Sequence, residues 1–121
     1  MNKQELENRL IDFAATIIIV ASKFEKNYAG NHLAGQIIRS GTSPALNYGE
    51  AQSAESNKDF VHKMGICLKE LRETNNCLKI IERANLHSNS KMLDQLKVEA
   101  NELISIFVAS IKTAKKNAEK K

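Results

Sequence analysis

The stretch LENRLIDFAATIIIVASKF, residues 6–24, already points to the architecture. Within it Leu6, Leu10, Phe13, Ile17, Val20 and Phe24 recur at steps of four and three. That spacing lays a single apolar stripe along one side of a long α-helix. A strand would need apolar and polar residues to alternate, and no segment of the chain sustains that pattern. Asn2 is placed to cap the helix, with Glu5 three residues on. Tyr28-Ala29-Gly30-Asn31 is expected to break it, with Asn31 capping the next element.

Downstream, the same periodicity returns three more times. The second element runs through Ile37 and Ile38 and ends near Ser53. It carries the chain's only proline, in Gly41-Thr42-Ser43-Pro44. Gly41 suits a helix end, Ser43 a cap and Pro44 a first turn. The expectation is one helix kinked there or two short collinear ones, so the element is kinked or broken near Gly41–Pro44. Ser56 with Asp59 opens a third helix, striped by Phe60, Met64, Cys67, Leu71, Leu78 and Ile81. After a turn-rich Asn85–Ser90, Ser90 or Ser88 starts a fourth, with Leu93, Leu96, Ala100, Leu103, Phe107 and Ile111. Four amphipathic helices with short connections predict an all-α, antiparallel up-and-down four-helix bundle over residues 1–116. Residues 117–121 are expected to form a basic, frayed C-terminal tail.

Two of these helices are more apolar than a solitary bundle requires. Ile17, Ile18, Ile19 and Val20 are consecutive and sweep about 300° of the helix. Ile104, Ile106, Phe107 and Val108 do the same on the fourth. Ile18, Ile19, Ile104, Ile106 and Val108 are therefore expected at a subunit interface.

Charge is unevenly spread. The 18 basic and 14 acidic residues leave +4. Residues 112–121 alone supply that surplus, with Lys112, Lys115, Lys116, Lys120 and Lys121 against Glu119. These lysines suit the negative end of a helix and are candidate phosphate contacts. Cys67 and Cys77 lie ten apart with no Cys-x-x-Cys pair, so free thiols are expected. No basic segment followed by a long apolar run opens the sequence, and the apolar block 14–21 is too short to span a bilayer. A cytoplasmic protein without membrane contact is expected.

The signatures of catalysis are weak. A di-iron bundle needs Glu-x-x-His on two helices, and only Asp59-x-x-His62 is present. Bundle-type ribonucleases of the HEPN kind separate Arg and His by four to six residues, whereas Arg83 and His87 have three between them. No nucleophile elbow occurs. His32, His62 and His87 fall near helix ends and are expected in solvent. No catalytic, cofactor or metal residues are assigned, and the protein is not expected to be an enzyme.

The densest polar run is Gln36-x-x-Arg39-Ser40-x-x-Ser43-x-x-x-Asn47-x-x-Glu50, followed by Asp59-Phe60 and Glu70-Leu71-x-Glu73-Thr74. Gln36, Arg39, Ser40, Ser43, Asn47, Glu50, Glu70 and Glu73 are expected to form a structural polar network, with Arg39 paired to Glu50, Glu70 or Glu73. This run resembles the 23S ribosomal RNA intervening-sequence protein family and, beyond it, the accessory variability determinant of diversity-generating retroelements. Family members usually read Asn-Ile-Ala-Glu-Gly where this chain has Asn47-Tyr48-Gly49-Glu50-Ala51. The resemblance implies a four-helix bundle that assembles with itself as a pentameric ring and has no established catalytic residues. It also implies RNA or a ribonucleoprotein as partner, since the retroelement relative binds nucleic acid and reverse transcriptase. Five tails at +4 each would then gather on one ring. The alternative is a protein–protein adaptor with no direct nucleic-acid role.

Overall fold

A computed structural model describes residues 1–119 of the chain. Among them the chain forms four α-helices and no strand: α1 (Lys3–Ala21), α2 (Tyr28–Ala51), α3 (Asn57–Arg83) and α4 (Ser90–Glu119). All four start with the same device. A short polar side chain accepts the backbone N–H three residues ahead, satisfying a donor that the first turn leaves free. Asn2 takes Glu5 N–H at 2.8 Å, and Asn27 takes Gly30 N–H at 2.8 Å. Ser56 takes Asp59 N–H at 3.0 Å, and Asn89 takes Met92 N–H at 3.0 Å.

One of these caps differs from expectation. Asn27, not Asn31, opens α2, and Gly30 belongs to its first turn rather than to a break. The glycine is there for room: a Cβ on Gly30 would fall 1.8 Å from the Glu25 carbonyl oxygen. α4 starts at Ser90, as expected, with Asn89 as its cap.

Of the two forms expected for the second element, a single helix is the one that forms. α2 continues through Gly41 and Pro44 to Ala51, so Ser43 caps nothing. An interior proline removes one intrahelical hydrogen bond and costs about 3 kcal/mol. Burial on both sides offsets that cost. Gly41 and Pro44 are buried, with Gly41 pressed against Ile17 of α1 and the Pro44 carbonyl accepting from the Cys67 thiol of α3 at 3.5 Å.

Helix α3 ends in a left-handed residue, Asn85 (φ 56°). Leu86 N–H bonds to Ile81 C=O at 3.0 Å and Asn85 N–H to Glu82 C=O at 3.2 Å, the Schellman pattern. Leu86 is thereby turned into the core.

The core is built from the stripes. Phe13 and Ile17 of α1, Ile37 of α2, Met64, Leu71 and Leu78 of α3, and Leu93, Leu103 and Phe107 of α4 are all buried. Consecutive helices pack side by side, while the α1 and α4 backbones meet at few points. Arg9 closes that looser seam through Glu99, Nε to Oε2 at 3.0 Å. Tyr48 of α2 and Phe107 of α4 cross the diagonal edge to face, with ring centres 5.8 Å apart. α4 is helical through Glu119, past the 116/117 boundary expected for the tail. Lys120 and Lys121 lie outside the described residues.

Candidate nucleic-acid interface

The polar run separates into three local groups rather than one network. Arg39 on α2 spans to α3, with Nη1 2.9 Å from Glu70 Oε2 and Nη2 bonded to Glu73. Just below it, the buried Ser40 and Thr74 hydroxyls lie 2.9 Å apart, and Thr74 is also 2.8 Å from the Glu70 carbonyl. Asn47 turns back along its own helix to Ser43, donating to its carbonyl at 3.0 Å and to its hydroxyl at 2.8 Å. Glu50 is exposed and makes no ion pair with Arg39 among the described residues. Gln36 is exposed as well and makes no side-chain hydrogen bond to the group among the described residues. Both therefore drop out of the expected network. Glu50 lies on nearly the same side of α2 as Arg39 but three turns further along, about 16 Å down the axis, so distance and not orientation keeps it from that pair. Thr74 lies within the family motif yet was not among the polar candidates, and it is the buried partner of Ser40.

The Arg39 guanidinium is half exposed, so its ion pairs are worth about 0.2–1 kcal/mol each. The thiols are structural. Cys67 and Cys77 are free and buried; burial pushes the Cys67 thiol up to about 12 and raises Cys77 above its ordinary value. A protonated buried thiol is a poor nucleophile. A crevice of about 590 Å³ at the end of the bundle is lined by Lys3, Tyr48, Gln52, Phe60 and Ser110 among others. No histidine, cysteine or carboxylate lines it among the described residues, so it offers no general base of those types. No three His, Cys, Asp or Glu side chains gather as a metal set among the described residues.

The histidines divide. His32, stacked on Tyr28, and His62 are exposed. His87 is not simply solvated. Its Nδ1 accepts Asn89 N–H at 3.0 Å and its ring meets Phe24 edge to face at 6.0 Å. Its Nε2 is buried without a partner among the described residues.

Of the apolar candidates, Ile18, Ile19 and Val108 are exposed, whereas Ile104 and Ile106 are half-buried against the bundle's own core. Ile11 on α1 and Val98 on α4 are exposed too and were not singled out by sequence. Of the tail lysines, Lys112, Lys115 and Lys116 are exposed and unpaired among the described residues.

Sequence reasoning missed a second basic surface. Lys58, Lys69, Arg72, Lys79 and Arg83 on α3 are all exposed, and none forms an ion pair among the described residues. The signal was present in their helical spacing. It was masked because the chain outside the tail carries equal numbers of acids and bases.

These features define an up-and-down four-helix bundle tied by ion pairs along its seams, with its unpaired positive charge on the outside. The chain belongs to the 23S rRNA-intervening sequence protein family, whose model matches residues 2–109. It is also similar to a solved structure from Bacteroides thetaiotaomicron, a protein of unknown function from the S23 ribosomal protein family. The two share 27% identity and superpose with a TM-score of 0.83, covering 93% of this chain and 99% of that one. No curated protein matches the chain. No helix among the described residues is long and apolar enough to cross a membrane.

Proposed function

We propose that the protein is a non-enzymatic, homo-oligomeric helical bundle, assembled as a pentamer, that binds RNA or a ribonucleoprotein partner. The observation that carries the binding is the exposed group Lys112, Lys115 and Lys116 at the end of α4; none of the three has an ion pair among the described residues. Contacts from such lysines to phosphate release counterions, so affinity depends steeply on salt. The family's name, which places it with ribosomal RNA genes, points the same way. Self-assembly is supported by Ile11, Ile18 and Ile19, large apolar side chains about half exposed on α1.

The test is fluorescence anisotropy with labelled RNA across a salt series, comparing the full chain with a chain ending at residue 111. The truncated chain is expected to bind more weakly and with a shallower salt dependence. Unchanged affinity and slope would remove the tail as a contact. Sedimentation at micromolar concentration tests the assembly, and a lone 13.5 kDa species overturns it. The adaptor reading draws on Tyr28 and Leu46, exposed on α2 at 87% and 71%. Partner binding that survives nuclease treatment would favour it.

A further inference from the structure

Helix α3 carries its charges in two sets with different fates. Its acids are used inside the subunit: Glu70 and Glu73 by Arg39, Glu82 by Lys97 at 2.8 Å, and Asp59 by Lys63 at 3.8 Å. Its remaining cations, Lys58, Lys69, Arg72, Lys79 and Arg83, are exposed and have no acidic partner among the described residues. At 100° per residue these five fall within an arc of about 80°, turned about 120° from the buried stripe of Met64, Leu71 and Leu78. From Lys58 to Arg83 they form a straight row about 38 Å long. At its start the row joins the tail, because Lys58 and Lys115 line one groove between α3 and α4. The zero sum of charge outside residues 112–121 therefore conceals a one-sided field.

We propose that this outer face of α3 is the main binding surface for the sugar–phosphate backbone of duplex nucleic acid, without sequence preference. The inference rests on the nucleic-acid reading above and moves its centre from the tail to a folded helix face. Length and straightness favour a duplex: about 38 Å corresponds to roughly eleven base pairs of charge, one helical turn. Single-strand binders add aromatic platforms on which bases stack. The other positions within that arc are Val61, Gly65 and Asn76, none of them aromatic, and the chain has no tryptophan. A membrane surface fits less well, since the apolar side of α3 is already spent in the core and cannot enter lipid. α3 also lies diagonally across the bundle from α1, so burying Ile11, Ile18 and Ile19 in an assembly leaves the row free.

The test measures binding of the full chain to a labelled 16-base-pair RNA duplex, a DNA duplex of the same length and the single RNA strand, each over a salt series. The triple variant Lys69→Gln/Arg72→Gln/Lys79→Gln is set against Lys23→Gln/Lys26→Gln/Lys91→Gln, which removes equal charge from other exposed sites. Circular dichroism melting confirms that each remains folded; should the α3 triple fail to fold, Lys58→Gln/Arg83→Gln replaces it. The α3 variant is expected to lose at least about tenfold in affinity, with the log–log salt slope reduced by about 2.7, or 0.9 for each contact removed. The control should change affinity less than about threefold. A wild-type response from the α3 variant, or equal loss from the control, overturns this site while leaving nucleic-acid binding intact. Tighter binding to the single strand overturns the duplex assignment. If the wild-type chain binds none of the three, the functional reading falls and this inference with it. Binding to phosphatidylserine vesicles alone would overturn both in the same way.

Discussion

Gly41 of α2 packs tightly against α1: a Cβ there would sit 2.8 Å from Ile17 Cγ2. Gly41→Ala is therefore expected to destabilise the protein by about 1–3 kcal/mol, the usual penalty for overpacking, and Ile17→Ala, which removes both Cγ atoms that the new methyl meets, should cost less in that variant than in the wild type. Gly49, also within α2, has nothing within 4 Å of its virtual Cβ. Gly49→Ala should raise stability by about 0.5–1 kcal/mol, since only the helix-propensity difference remains. Urea denaturation of these variants checks both signs. The two glycines look equivalent as letters in a helical pattern. What separates them is the neighbouring helix, which the local sequence does not contain.

Between elements, α2 and α3 are joined by a polar seam whose members differ in burial. Thr74→Val is expected to cost about 1–2 kcal/mol, because it leaves the buried Ser40 hydroxyl without its partner. Arg39→Ala should cost about 0.4–2 kcal/mol for its two ion pairs and lose its effect in high salt, because those pairs are half exposed. Thermal melts at low and high ionic strength distinguish the two. Replacing Arg39 with similar loss at every salt concentration would mean that the guanidinium acts through packing.

Across the protein as a whole, Cys67, Cys77 and Tyr48 are the groups whose acid–base behaviour is shifted chiefly by burial. Cys67 has its pKa raised from 9.0 to about 12, and Tyr48 is raised above 10.0; burial is the main cause for both. The folded state thus holds these protons more tightly than the unfolded chain. Their contribution is fully present below about pH 9 and is lost as pH climbs toward 12. Urea midpoints should fall over that window, and Cys67→Ala should flatten the decline. The proposed assembly likewise depends on the complete fold. Ile18→Asp places a charge on the exposed face of α1 and is expected to shift sedimentation toward the single chain without loss of helicity. A variant that stays assembled would put the subunit contact elsewhere.

The number of helices, their buried stripes and the caps at Asn2 and Ser56 were legible in the sequence, because each depends on residues three or four apart and one helical turn brings such residues together. So were the pairing partners of Arg39 on α3, although not the separation of Glu50 and Gln36 from them. Where distant segments compete for one position, local spacing gave no guidance. Gly30 and Pro44 carry the marks of helix breakers and stand inside α2, since the Glu25 carbonyl and the flanks of α1 and α3 decide their surroundings. The basic face of α3 emerged in the same way. A sequence sums its charges, whereas packing determines which are neutralised across a seam and which remain in solvent, and only the arrangement of four helices in space makes that division.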